Sequence, residues 1–290
     1  MFSIIIPTFN NLEYLQLCLS SLEKNSKFNH EIIIHVNEGT DGTYDYVNNN
    51  KLIHTYTKEN VGLCTGTNLA SKKATTNYIL YTHDDMYFCP DWDIELSREI
   101  KKLDTKAFYI SGTMIERKSG HIQFDCGNDL KNFDEVKLLN NFSHKKYFNH
   151  QGSSWAPHLI HKDYWVRVGG LSEEFNPGIG SDPDLNMKLW NSGVRIFKGL
   201  GNFRVYHFGS SVLRKKNFKR NKGAKTFIIK WGITPNFFIK HYLKGGYFSS
   251  QGIICNEYDG PLKKPRKTIN YFFDLLICKI KLIYLKIFKS

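Results

Sequence analysis

Apolar positions along the first third of the chain fall into short blocks separated by helical stripes. Ser3 to Ile6, between Phe2 and Pro7, reads as a buried strand. Leu12, Leu15, Leu19 and Leu22 recur at three- and four-residue intervals, which predicts an amphipathic helix, and Asn10 with Glu13 offers a capping box at its start. Glu31 to Val36 is a second strand that runs into the turn-rich Asn37-Glu38-Gly39-Thr40-Asp41-Gly42-Thr43. A strand over Leu52 to Tyr56 follows, then a loop and helix around Asn60 to Lys73, then a strand from Tyr78 to Thr82 leading into His83-Asp84-Asp85. Strands alternating with helices at this interval predict an α/β fold, a mostly parallel sheet flanked by helices, with ligands at the carboxyl ends of the strands.

The second half is less regular. Phe108 to Gly112 and Ala156 to His161 read as strands, and Cys126 to Gln151 reads as a polar stretch dominated by long loops. A helix starts at Asp163 and ends before Gly169-Gly170, another spans Asp182 to Ser192, and Arg195 to His207 holds one or two short strands. Near the end, Ile269, Phe273, Leu276, Ile280, Ile283 and Ile287 follow a helical spacing with Lys279, Lys281 and Lys286 between them. That pattern suits a helix lying in the surface of an anionic bilayer, a helix packed on the protein's own core, or one packed on a second subunit; the pattern leaves all three open.

Composition narrows the class. With 41% apolar and 14% aromatic residues in 290, the chain can bury a substantial core, which excludes disorder and collagen. The six cysteines lie far apart, with no pair at the two-residue spacing of zinc or redox dithiol sites, so a reducing, cytoplasmic compartment is expected. The N-terminus carries no basic leader, and no stretch supplies ~20 uninterrupted apolar residues for a spanning helix. The net charge of +13 is confined to the C-terminal part: Arg214 to Lys225 holds seven basic residues and no acid, and Pro261 to Ser290 holds eight against Asp274. No base-stacking or base-reading module accompanies these runs, so specific nucleic-acid binding is not expected.

Two acidic groups, Glu38 and Asp84-Asp85, fall at predicted strand ends. Adjacent carboxylates repel and are costly to desolvate, and a divalent cation is one partner that offsets the cost; a solvated turn is the bland alternative. Mg²⁺ or Mn²⁺ would take few carboxylates and complete its shell with water and phosphate oxygens.

Tyr81 to Trp92, placed after Pro7-Thr8-Phe9-Asn10 and the Asn37 to Thr43 turn, resembles the nucleotide-sugar-binding half of family 2 glycosyltransferases of GT-A fold. Val168 to Phe175, then Gly180-Ser181-Asp182-Pro183-Asp184-Leu185, then Gly193 and Val205-Tyr206-His207 resemble its acceptor half, in order. The resemblance implies a Rossmann-like GT-A domain over residues 1–212, with a donor half at 1–92 and an acceptor half at 93–212. Residues 213–290 would form a basic helical extension.

It also implies roles. Thr8 and Phe9 would lie against the nucleotide base, Glu38 would accept from a base N–H, Asp84 would contact the ribose, and Arg214 and Lys215 would face the departing diphosphate. Asp85 and His207 would ligate Mn²⁺ or Mg²⁺. Met86 stands where the usual Asp-x-Asp has its last acid, and a thioether suits a hard cation poorly. Asp182 would be the catalytic base of an inverting transfer, with helix capping as the alternative for it and for Asp184. Trp155, His158 and Asp184 fall on the acceptor side. Asn60, Gly62 and Asn68 match a loop near the nucleotide, or serve only turn and cap chemistry.

The function so implied is metal-dependent, inverting transfer of a sugar from a nucleotide-diphosphate donor to a glycan or lipid-linked acceptor in surface polysaccharide synthesis. A UDP-linked donor is expected before others, since Glu38 suits the imide of uracil or thymine, and it could also suit guanine. The enzyme would be cytoplasmic or peripheral on the inner membrane face, and the last helix could mediate an oligomer. A sugar nucleotidyltransferase would need a Gly-rich phosphate loop after the first strand, which Pro7-Thr8-Phe9-Asn10 does not supply. A non-catalytic glycan- or nucleic-acid-binding protein on the same scaffold is the third reading.

Overall fold

The computed structural model describes residues 1–209, 222–250 and 252–287. Strands β1 (Ser3–Phe9), β2 (Glu31–Asn37), β3 (Ile53–Thr57) and β4 (Tyr78–Tyr81) pair in parallel in the order β3-β2-β1-β4. The apolar runs of β1, β2 and β4 are continuous because both faces are covered, whereas the edge strand β3 has no buried residue. Ile4 and Ile6 pack with Leu15 and Leu22 on one face, and Ile5 packs with Cys64, Ala70 and Trp165 on the other. Burial of each such side chain is worth roughly 1.5–3 kcal/mol, so a polar residue on either face would be costly. The connections are α1 (Leu12–Asn25), α2 (Thr43–Asn49) and α3 (Leu63–Ser71).

Asn10 does not cap α1. The helix has Asn11 at its cap position with no side-chain cap bond, while Asn10 has φ 46° and spends its amide on the neighbouring loop, accepting from the Thr40 N–H at 2.7 Å. The first helical N–H, that of Leu12, instead donates to Asp41 at 2.9 Å.

Beyond β4 the sheet continues through β5 (Met86–Phe88), α4 (Trp92–Ile100), β6 (Phe108–Glu116), the short β7 (Ile122–Gln123), α5 (Glu135–Asn141) and β8 (His150–Gln151). Then come β9 (His158–His161), α6 (Lys162–Val168), α7 (Ser181–Asn191) and β10 (Ile196–His207). The spatial order is β4-β9-β6-β10-β5, with β9 antiparallel to both neighbours, β6 parallel to β10, and β5 antiparallel to it. The stretch expected to hold one or two short strands is thus a single 12-residue strand whose register with β6 shifts between Gly199 and Arg204. The polar stretch before Gln151 contains α5, started by Asp134, whose side chain accepts from the Lys137 N–H.

The C-terminal part adds α8 (Gly223–Trp231), α9 (Pro235–Phe238) continuing into a π turn at Ile239–Leu243, a hairpin of β11 (Tyr247–Ser249) with β12 (Gly252–Ile254), and α10 (Ile269–Ile287). Phe227, Phe237, Phe238, Leu243 and Tyr271 belong to the same buried cluster as Ile5, Ile160 and Trp190. This part is therefore packed onto the sheet's helical layer. The expected domain boundary at 212–213, with Arg214 and Lys215, lies outside the described residues. No helix among the described residues is long and apolar enough to cross a membrane.

Candidate active site

Strand register assembles one cluster at the sheet's carboxyl edge. β1 runs beside β2 with Phe9 opposite Asn37, so Asn10 meets Glu38, and its amide donates to Glu38 Oε2 at 3.1 Å. Glu38 itself has φ 60°, a conformation that β- and γ-substituted residues adopt at a cost, and one that tends to occur where function demands it. On the other side of β1, Ile5 pairs with Tyr81, and the chain just beyond β4 brings Asp84 Oδ2 to the Thr8 hydroxyl at 2.6 Å. Glu38, Thr8 and Asp84 thus line the tips of three adjacent strands. Phe9, half-buried, ends β1 beside them.

The chain then reverses. β5 pairs antiparallel with the end of β10, Met86 opposite His207, and the Phe208 N–H donates to the Asp85 carbonyl at 3.2 Å. His207 Nε2 consequently lies 3.5 Å from Asp85 Oδ1, at ion-pair rather than hydrogen-bond range. β6, parallel to β10 with Ile115 opposite Tyr206, carries Glu116 to the other ring nitrogen, His207 Nδ1, at 2.5 Å. His83 Nδ1 sits 4.0 Å from the same Asp85 oxygen. One ligand atom each from His83, Asp85 and His207 lie within 4.8 Å of one another. Met86 is excluded from this group: its sulfur is buried against the Thr82 hydroxyl at 3.3 Å.

Charge in the cluster is strongly perturbed. Burial alone would push the His207 imidazole down, but the carboxylates of Asp85 and Glu116 outweigh it and raise its pKa to about 10. Burial lowers His83 to about 4 against the pull of Asp85. Asp84 is raised by burial first and by the adjacent Asp85 second, with the Thr8 and Asn11 side chains opposing. An imidazolium at His207 therefore stands between the carboxylates of Asp85 and Glu116.

A divalent cation fits these donors. One carboxylate and two imidazoles suit Mn²⁺ better than Mg²⁺. The buried His207 Nε2 has no hydrogen-bond partner, and Glu116 holds the opposite nitrogen, as buried carboxylates do behind metal-bound histidines. A second group, His121, His150 and Cys255, also draws together. There the His121 Nδ1 accepts the Met114 N–H at 3.0 Å, which places the ring proton on Nε2 and leaves no lone pair there for a metal.

Asp182 occupies the first turn of α7. Gly180, φ 90°, takes the cap position without a side-chain bond, and the Ser181 hydroxyl donates to the Gly178 carbonyl, so neither Ser181 nor Asp182 caps the helix. Asp182 Oδ1 is shielded from solvent and unpartnered, and burial raises its pKa to about 7. Tyr81, buried at the end of β4, feels the charge of both Asp182 and Asp84. Its ring packs 5.1 Å from that of His158, which in turn stacks on Tyr109 and bonds its hydroxyl at 3.0 Å. His158 is fully buried, and burial drops its pKa to about 3. Trp155 is half-buried, its ring 5.0 Å from His121.

Asp184 stands apart from this cluster. It is fully buried and accepts from Ser172 Oγ at 2.6 Å and Trp231 Nε1 at 2.8 Å, with Lys230 Nζ at 2.9 Å. Its visible work is to clamp α8 onto α7. Asn60 and Asn68 likewise serve turns: Asn60 accepts from the Gly62 N–H, and Asn68 brackets Leu171 with two bonds. A Cβ at Gly62 would strike the Asn176 side chain, which itself accepts from the Cys64 N–H.

Sequence reasoning alone misses Glu116, His83 and Asn11. His83 is legible as an imidazole next to two acids. Nothing near Glu116 in sequence signals a partner 91 residues away.

The chain is similar in sequence and in fold to known glycosyltransferases. Residues 3–163 match the model of glycosyl transferase family 2. The hyaluronan synthase of Pasteurella multocida is 26% identical over 226 residues, 75% of this chain and 22% of that protein. The chondroitin synthase of Pasteurella multocida (strain Pm70) is 30% identical over 220 residues, 73% and 21% respectively. The chain thus spans about a fifth of the length of these relatives. A crystal structure of GalNAc-T7 with UDP, GalNAc and Mn²⁺ superposes with a TM-score of 0.57 at 14% identity, covering 80% of this chain and 48% of that one, which establishes the shared GT-A fold. With the family model matching more than half its length, the chain belongs to glycosyl transferase family 2.

Proposed function

We propose that the chain is a metal-dependent, inverting glycosyltransferase that moves a sugar from a UDP-sugar to a glycan or lipid-linked acceptor, in the synthesis of a surface polysaccharide. The carrying observation is the convergence of Asp85, His207 and His83 at the strand tips, with Glu38, Thr8 and Asp84 at the tips beside them and the charge of Asp182, whose Oδ1 is unpartnered, felt at Tyr81 just before the acidic pair. UDP and Mn²⁺ in the GalNAc-T7 structure, and the synthase names of the two relatives, support the donor and polymer classes.

Asp85 and His207 would hold Mn²⁺, which would neutralise the charge that builds on the diphosphate as the glycosidic bond breaks. Glu38 would accept from the imide N–H of uracil, Thr8 and Phe9 would pack on the base, and Asp84 would bind the ribose. Asp182 would take the proton of the acceptor hydroxyl as its oxygen attacks the anomeric carbon from the side opposite the diphosphate. A pKa near the working pH suits a general base, which must be ionised often enough to act and basic enough to pull the proton. Trp155 and His158 would shape the acceptor side, and the positive charge of Arg214 and Lys215 would stabilise the departing diphosphate.

Turnover of UDP-sugars with and without Mn²⁺ tests the reading. UDP release that stops on chelation supports it. Release of pyrophosphate would point to a nucleotidyltransferase, and binding without turnover to a non-catalytic protein.

A further inference from the structure

Helix α10 is apolar on two opposite sides, and among the described residues one of them is buried against the body while the other is largely exposed. Tyr271 and Cys278 are buried against the body: the Tyr271 ring lies 5.1 Å from Phe237, and Cys278 Sγ accepts from the Thr234 N–H at 3.4 Å. Asp274, on the same flank, is tied to Lys240 and to His241 Nε2, each at 2.7 Å. At about 100° per residue, Phe273, Leu276, Ile280 and Ile283 project from the opposite side. All four are more than half exposed, from 55% at Leu276 to 64% at Phe273. The helix thus packs on the protein's own core along Tyr271 and Cys278, while these four apolar positions lie outside that contact.

The borders of the exposed stripe are cationic. Lys279 and Lys286 lie roughly 100° to one side of it and Lys281 roughly 100° to the other, all exposed. Lys263, Lys264, Arg266 and Lys267, just before the helix, are exposed or nearly so. The one acid between Pro261 and Ile287 is Asp274, already paired on the inner flank. From these positions we infer that α10 is a membrane-surface anchor: it lies flat on an anionic bilayer, its outer stripe among the acyl chains and its lysines at the headgroup phosphates.

The charge pattern selects this occupant. Two copies joined stripe to stripe would set each lysine border against the other's, whereas nucleic acid would leave the apolar stripe wet. An anionic bilayer satisfies both features, and at 19 residues the helix presents about 29 Å of contact along the surface. The anchor does not depend on the catalytic reading, because none of its residues belongs to the Asp85 cluster.

Flotation of the purified chain with lipid vesicles tests it. Binding is expected to vesicles of phosphatidylglycerol with phosphatidylcholine, to fall at least about tenfold on phosphatidylcholine alone, and to weaken with salt. Phe273→Ser with Ile280→Ser should abolish flotation; both sites are exposed, so folding, checked by circular dichroism, should persist. Lys279→Gln with Lys281→Gln and Lys286→Gln should remove the preference for anionic lipid. Asp85→Ala should float like the parent. Failure to bind anionic vesicles at low salt, or flotation unchanged by the Phe273/Ile280 pair, overturns the proposal. So does a dimer in light scattering that Ile280→Ser disperses, since the stripe would then belong to a second copy.

Discussion

Glu116 Oε1 holds Nδ1 of His207 at 2.5 Å, and this contact fixes which way the other nitrogen of the ring faces. The two residues are brought together by parallel pairing of β6 and β10, so the backbone ladder, not a flexible loop, sets the ring's direction. A ring aimed this way loses less freedom on binding a cation and is a stronger donor.

Glu116→Gln should therefore weaken Mn²⁺ affinity about 10- to 100-fold, the usual cost of losing a carboxylate behind a ligating histidine. Titration of Mn²⁺ into the nucleotide-free protein by calorimetry or paramagnetic resonance checks this without reference to turnover. An affinity equal to the parent's would make Glu116 a bystander.

Asp184 gives a contrasting expectation. Its carboxylate is buried and satisfied by Ser172, Trp231 and Lys230. Asp184→Ala leaves Lys230 its second partner, Glu174 at 2.8 Å, but takes the acceptor from the Ser172 hydroxyl and the buried Trp231 N–H, and should destabilise the fold by about 1–3 kcal/mol. Denaturant unfolding measures the loss. If activity per folded molecule falls while stability holds, Asp184 acts on the acceptor after all.

Asp182 couples stability to pH. Its folded pKa of about 7 stands above the ordinary carboxylate value, so as pH rises from about 4 the unfolded chain gives up its proton first and the folded state loses stability until about pH 7. Asp182→Asn removes that burden. The variant should be more stable than the parent at pH 8, by an amount on the order of a few kcal/mol at most, and equal to it near pH 4. A stability difference independent of pH would mean the carboxylate is not held in its neutral form by burial.

The same residue governs rate. As the base, Asp182 must be ionised, so kcat/KM should fall about tenfold per pH unit below about 7, and Asp182→Asn should lower kcat by ~10² to 10⁴ while sparing donor affinity. Steady-state kinetics across pH decides this. A near-parental rate in the variant would move the base elsewhere.

The strands, their order in sequence and the acids at their tips are legible in the sequence because β1, β2 and β4 are two-sided strands whose apolar runs and flanking turn residues leave little alternative. Asp85 with His207 is legible only through resemblance, since their meeting depends on β5 reversing against β10, a pairing across more than a hundred residues that periodicity does not encode. The capping box fails for a local reason: Asn10 has a stronger use in tying β1 to the Glu38 loop than in starting α1. Asp184, two residues from Asp182, looks equivalent to it in sequence. What separates them is Trp231 and Lys230, which arrive from α8 and consume one carboxylate while leaving the other unpartnered.

The metal-centred mechanism is probed most sharply by calorimetric binding of UDP to the parent and to Asp85→Ala, each with Mn²⁺ and with a chelator. Mn²⁺ should strengthen UDP binding to the parent at least about tenfold and leave the variant unmoved. Equal Mn²⁺ enhancement in both proteins would refute that mechanism, because the cation joining nucleotide to protein would then be held somewhere other than at Asp85.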